Sequence, residues 1–357
     1  MYPYFLIYSL IVSFALMEFY NFKYFIKNQN IFKFSLFLIL LLFMGLKYYV
    51  GGDWGTYSVL FSGINNLQIN FRNLNNDYGY YFLNLLFYNL GFSFFSINII
   101  AAGICLYGIH LLATRYLNYF LFILILTPYF IFIILMGYTR QSISIGLFLI
   151  SISLLYKNNN LKNLLLYFFL IFLAFLFHKS SIILFLIPLF TIKINFLSFS
   201  ILLNLFFAFL LILLFVVFHD RFLDRLEYFF INSYSTTGAY YRTLIIFLFS
   251  TTYLILLKRF KFPYKNSLNY IILIITIAIC SLICISPSTV IIDRFLLYFY
   301  FIIPLFIISI MKHSKNDLNK SIIVYCSIIS GFLLMILWFN FATNSNSWVP
   351  YQNYLFI

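Results

Sequence analysis

The chain has 357 residues, 64% hydrophobic and only 8% charged, with a mean hydropathy of +1.01. Polar surface that sparse cannot cover a water-soluble globule, which excludes a soluble enzyme, a nucleic-acid-binding domain and a disulfide-stapled secreted fold. The formal net charge of +14 therefore reads as charge flanking membrane spans, not as a nucleic-acid footprint.

In chain order, the first 20 residues lack a basic n-region and an A-x-A site, so they read as a retained first span at about 3–20. Further apolar stretches lie at about 32–47, 97–114, 119–137, 142–156, 163–177, 180–192, 196–218, 243–257, 268–285, 295–311 and 321–340. The expected fold class is all-α: a polytopic transmembrane helix bundle of about twelve spans, one integral membrane domain over residues 1–357. The stretch from Tyr78 to Gly91 is short and carries Asn84 and Asn89, so it reads as re-entrant or interfacial and is left out of the count. Extracytoplasmic loops are then expected near 48–77 and 219–242.

Charge checks this topology. One set of breaks, 21–31, 115–118, 157–162, 193–195, 258–267 and 312–320, holds most of the basic residues, nearly all Lys, against one acid, Asp317. The opposite set holds Lys47, Lys179 and six arginines, Arg72, Arg140, Arg221, Arg225, Arg242 and Arg294, with Asp53, Asp77, Asp220, Asp224, Glu227 and Asp293. By the positive-inside rule the first set is cytoplasmic and both termini are extracytoplasmic. Orientation alone does not require arginine on the outer side. Its planar five-donor fork matches phosphate oxygens, so the outer set reads as a site, with mutual ion pairing as the bland alternative.

The site candidates follow in order. Lys47 opens a loop with three glycines in five positions, Gly51, Gly52 and Gly55, which implies positive φ angles that set Asp53 at the membrane surface. Asp53 is a general base, a sugar-hydroxyl anchor or merely a helix N-cap. Asp77-Tyr78-Gly79-Tyr80 opens the short helix, with Asp77 placed to cap it and Tyr80 to stack on a sugar. Arg140-Gln141 begins a span after Gly137, where a guanidinium and a helix N-terminus together suit a phosphate. His178-Lys179 breaks two short spans on the outer side, and a broken backbone there lines a cavity. Residues 219–230 form an amphipathic surface helix with Arg221 and Arg225 on one face. Asp293-Arg294 stands at the outer mouth of the span at 295–311, where the pair can also satisfy itself. The cysteines Cys105, Cys280, Cys284 and Cys326 lie in apolar runs, Cys280 and Cys284 reading as a small-residue helix contact without a metal pattern. Phe (50) and Tyr (31) dominate the aromatics beside abundant Ile, Asn and Lys, as AT-rich coding produces, so single aromatics carry little weight. There is no P-loop, GxGxxG, HExxH or cytoplasmic Asp-x-Asp, which argues against ATP and nucleotide sugars as substrates.

The ordered set Gly51-x-Asp53-x-x-x-Tyr57, Asp77-Tyr78-Gly79-Tyr80, Arg140-Gln141, Leu176 to Ser181 and Arg294 to Phe299 resembles the EpsG family of exopolysaccharide polymerases, within the broader Wzy-type O-antigen polymerases. Where that family usually has Arg before the Gly-x-Asp motif, this chain has Lys47, which cannot form a bidentate fork. The resemblance implies a GT-C-like membrane glycosyltransferase of the bacterial inner membrane, working at its outer face without metal or cofactor. It moves a growing glycan from undecaprenyl pyrophosphate onto an incoming lipid-linked repeat unit. Arg140 and Arg294 lead as pyrophosphate binders, with Arg242, Arg72 and Lys47 beside them. His178 ranks first as base and Asp53 second. Asp77, Tyr57, Tyr80, Gln141, Arg221 and Arg225 bind or position sugar. The expected partners are membrane lipid, the undecaprenyl-pyrophosphate-linked oligosaccharide and, by resemblance only, a chain-length regulator and a flippase. A lipid-linked oligosaccharide flippase is the main rival function and a membrane O-acyltransferase a third. A flippase calls for polar groups near the midplane, whereas these ionisable residues cluster at outer helix ends.

Overall fold

The computed structural model describes residues 1–64, 78–116, 118–158, 160–191, 237–257, 266–284, 286 and 288–356. These are almost entirely helical, as the composition requires, because a backbone in lipid must satisfy its own hydrogen bonds. Five helices are long and apolar enough to cross a membrane, or six if the broken pair Thr289–Phe299 and Ile302–His313 is one span. Shorter apolar helices accompany them, and the chain is a membrane protein. Every predicted span except 196–218 falls on a helix or a helix pair. That stretch, the amphipathic segment at 219–230 and residues 65–77 of the first loop lie outside the described residues.

The described chain packs as two compact units, Met1–Ser181 with Tyr300–Ile357, and Ile182–Phe299. The first unit contains α1 (Tyr2–Phe19), α2 (Lys23–Lys27), α3 (Gln29–Gly45), α4 (Trp54–Ser62), α5 (Tyr78–Asn89), α6 (Phe94–Ala113), α7 (Tyr119–Leu126), α8 (Thr139–Lys157) and α9 (Leu161–Phe177). The polar breaks set the helix boundaries. Asn160 accepts from the Asn163 amide at 2.9 Å to start α9, and Asn316 accepts from the Leu318 amide at 3.0 Å to start Asp317–Phe341. Such caps contribute about 1 kcal/mol each. At the end of the unit opposite Asp53, Glu18 accepts from the Tyr119 and Phe120 amides at 3.1 and 2.9 Å and from Gln29 Nε2 at 2.8 Å. One helix's carboxylate thereby caps the positive end of another.

α6 and α8 cross at their smallest residues. A Cβ on Gly108 would lie 2.7 Å from the Gly146 carbonyl oxygen, and one on Gly146 would lie 2.8 Å from the Cys105 amide nitrogen. Where lipid supplies no hydrophobic drive between helices, this close backbone approach is what fixes the pair. It also sets the direction of α8, whose first turn carries Arg140. α5 packs against α4, α6 and α9. Gly79 in its first turn packs on Leu176 at the end of α9, Tyr88 in its last turn on Phe61, and the start of α6 on Trp54.

Three departures from the sequence reading concern backbone. The span at 119–137 is α7 followed by a π-helical stretch, Thr127–Leu135. Pro128 at its start lacks an N–H and crowds the preceding turn, which widens the coil. The helix expected from 295 begins earlier, at Thr289, with Ser288 in extended conformation before it, so Asp293 and Arg294 lie within a helix and not ahead of one. A two-residue antiparallel ribbon, β1 (Lys47–Tyr48) with β2 (Gln352–Asn353), joins the first loop to the C-terminal segment. No hydropathy pattern announces so short a pairing.

The second unit contains α10 (Leu186–Thr191), α11 (Thr237–Leu257), α12 (Asn266–Ser281) and α13 (Thr289–Leu296). Cys280 is buried with its Sγ 3.8 Å from the Thr243 carbonyl, while Cys284 is exposed. The helix changes to a 3₁₀ turn at Leu282–Cys284, which is why the expected shared face of Cys280 and Cys284 does not form.

Candidate functional site

The first loop leaves α3 at Gly45 and turns through Tyr49 (φ 50) and Gly51 (φ 106). Of the three clustered glycines only Gly51 needs the left-handed region. Gly52 lies beside the ring of Trp348, where a Cβ would make only an ordinary contact, and Gly55 lies inside α4. Asp53 then occupies the N-cap position of α4, but its side chain makes no capping hydrogen bond. It accepts instead from the Tyr57 hydroxyl, one turn along, at 3.1 Å. Asp53 thus stands at the cap position while its side chain bonds elsewhere.

Tyr57 is buried, seated in an apolar cluster with Trp54, Phe61, Tyr80, Phe94 and Ile143. Burial holds its phenol well above the ordinary value, so the hydroxyl keeps its proton and donates it to Asp53. The same oxygen accepts from Arg140 Nε at 3.3 Å, and the guanidinium carbon lies 5.3 Å from the Tyr57 ring centroid. The chain Arg140 to Tyr57 to Asp53 thus has one direction of donation. Arg140 is half-buried at the second residue of α8, where its charge adds to the positive helix terminus and favours an anion. Gln141 beside it is buried.

Tyr80 lies 5.2 Å from Tyr57, ring centre to ring centre, and a Cβ on the neighbouring Gly79 would meet the Leu176 backbone at 3.0 Å. Two residues beyond Leu176, His178 ends α9 in extended conformation, its Nδ1 2.5 Å from Ser180 Oγ. Four motifs far apart in sequence therefore meet at one end of the first unit.

Lys47 sits differently from an open phosphate ligand. It is buried in β1 with its ammonium on the Met136 carbonyl, at the end of the π-helical stretch, where the helix dipole is negative. Burial draws the ammonium down to about 7 against the opposing pull of the Asp53 carboxylate. Lys47 thus ties the Asp53 loop to the segment that leads into Arg140.

In the second unit, Arg242 Nε and Nη2 donate to Asp293 Oδ1 and Oδ2 at 2.7 and 2.6 Å, a fork that ties α11 to α13. Asp293 is thus held by Arg242 from another helix, α13 placing it toward α11. Arg294 is exposed one residue along. Arg72, Asp77, Arg221 and Arg225 lie outside the described residues. Among the described residues no three of His, Cys, Asp or Glu come together as a metal site would require.

The sequence reading passed over Trp348, which packs against Gly137 and Gly52 beside this site. Its signal was present in the composition. The chain holds 3 Trp against 50 Phe and 31 Tyr, and AT-rich coding does not favour tryptophan, so each one carries weight that a Phe does not.

Chemically, the arrangement offers an anion-favouring helix terminus with a guanidinium, a carboxylate oriented through a neutral phenol, and an imidazole in the motif that packs on the Tyr80 turn. The EpsG family model matches residues 30–353. Among curated proteins and solved structures none matches the chain.

Proposed function

Because the chain belongs to the EpsG family, which comprises exopolysaccharide and O-antigen polymerase-like proteins, we propose that it is a polysaccharide polymerase. It transfers a growing glycan from undecaprenyl pyrophosphate onto an incoming lipid-linked repeat unit at the outer face of the bacterial inner membrane. The observation that carries this reading is the continuous chain from Arg140 through Tyr57 to Asp53, at the end of the first unit where Gly79 meets Leu176. In this reading the bundle has about twelve spans with extracytoplasmic termini, and the end bearing Asp53 faces outward. The lysine-bearing ends of α8, α9, Ile302–His313 and Asp317–Phe341 then face the cytoplasm.

In the reaction, an acceptor hydroxyl oxygen attacks the anomeric carbon of the growing chain, and the bond from that carbon to the pyrophosphate oxygen breaks. The bonding pair leaves with the pyrophosphate. Arg140, reinforced by the α8 terminus, stabilises the charge that develops there; Arg294 and Arg72 are further phosphate-ligand candidates from the sequence alone. His178 takes the acceptor proton, and Asp53 orients the acceptor sugar, with Tyr80 and Gln141 beside it; Asp77, Arg221 and Arg225 are further sugar-positioning candidates from the sequence alone. Lys47 and Arg242 hold the scaffold. The ionisable residues in the first unit gather at helix ends, Glu18 included, which favours bond formation over alternating access by a flippase.

The test is reconstitution of purified protein with lipid-linked repeat units. The expected result is carrier-linked glycan of two and more units with release of undecaprenyl pyrophosphate. Movement of intact lipid-linked units across the bilayer without bond formation would establish the flippase instead.

A further inference from the structure

The segment after the last helix folds back over the candidate site. Trp348 is 2% exposed, and its indole packs on Gly137, where no side chain fits, with Gly52 beside it. A Cβ on Gly137 would fall 2.5 Å from its Cζ2, and one on Gly52 would lie 4.0 Å from its Cη2. Its Nε1–H donates to the Phe132 carbonyl at 2.9 Å, inside the π-helical stretch. Its own carbonyl accepts from the Tyr4 hydroxyl at 3.0 Å, and the preceding Ser347 carbonyl accepts from the Gly51 amide at 2.8 Å. On its other side, β2 pairs with β1 and the Tyr354 amide donates to Leu46 at 2.8 Å.

Two backbone positions with no side chains of their own, Gly52 just before Asp53 and Gly137 leading to Arg140, thus lie against one rigid indole. We infer that Trp348 is a positioning residue for the reaction proposed above, on which this inference rests: it sets the separation of the Asp53 loop from the start of α8. The Tyr57 to Arg140 bond of 3.3 Å is already near the limit of a hydrogen bond, so a shift of about 1 Å opens it.

The test compares wild type with Trp348→Leu, Trp348→Phe and Gly137→Ala, the last moving the indole without removing it. Arg140→Ala serves as the control for the reaction itself. Turnover and apparent KM for the lipid-linked unit are read per folded, monodisperse molecule. The expected outcome is a fall in kcat of about 100-fold for Trp348→Leu and Gly137→Ala with little change in KM, and recovery of most activity in Trp348→Phe, whose ring still packs on Gly137. Wild-type kcat per folded molecule in both Trp348→Leu and Gly137→Ala would overturn the positioning role, as would a loss carried wholly by KM. If Trp348→Leu does not yield folded protein, Gly137→Ala decides by the same criteria; if neither does, Trp348→Phe decides, and a wild-type melting temperature with kcat lost overturns the packing account. A polymerisation rate unaffected in Arg140→Ala as well would sink the proposed reaction rather than the positioning role alone.

Discussion

Arg140 and Asp53 share Tyr57 as their link, and this sets the expected cost of changing either. Arg140→Ala removes the proposed phosphate ligand and is expected to lower polymerisation about 100-fold or more. Arg140→Lys keeps the charge but not the planar donors, so it restores only a small part of that loss; full restoration, read as polymer formed per molecule, would show that charge alone suffices. Lys47 gives a separate prediction in pH. Burial lowers its ammonium to about 7 in the folded protein, against about 10.4 in an unfolded chain. The unfolded state holds the extra proton between those values, so stability rises with pH across that window and is flat below it. The melting temperature in detergent should therefore climb from pH 7 to pH 9 in wild type and lose that slope in Lys47→Met; an equal slope in both would refute the assignment. At this scale much was legible. A Gly-x-Asp-x-x-x-Tyr spacing puts Asp53 and Tyr57 one helical turn apart once α4 forms. The burial of Lys47 was not legible, because its partner is a backbone carbonyl 89 positions away.

Elements explain why these residues meet. The Gly108 and Gly146 crossing directs α8, and the turn through Gly51 directs α4. Gly51→Ala combines a left-handed φ with a Cβ 2.9 Å from the Met136 oxygen, and it should cost about 2 kcal/mol or more of stability. An unchanged melting temperature would show that the loop can relax. The α11 to α13 fork makes a contrasting prediction. Arg242→Ala leaves the half-buried Asp293 without its partner, so it should destabilise by about 1–3 kcal/mol. Lost activity at unchanged stability would return Arg242 to the phosphate site. Element identity was readable from hydropathy in almost every segment, since a helix is what an apolar run becomes in lipid. Boundaries set by single residues, the π-helical widening at Pro128 and the early start of α13, were not, because hydropathy does not register a missing N–H or a capping position.

For the whole molecule, hydropathy and charge patterning made the helical class legible, while the ribbon between β1 and β2 joins segments far apart in the chain that only folding brings together. The most direct measurement is the gel profile of surface glycan and carrier-linked intermediates in a host deleted for this gene and complemented with wild type or Arg140→Ala. A polysaccharide polymerase predicts a ladder of repeat units with wild type and a single repeat unit with the deletion and with Arg140→Ala at equal protein level. Loss of all surface glycan in the deletion, with lipid-linked units trapped inside the cell, would contradict it.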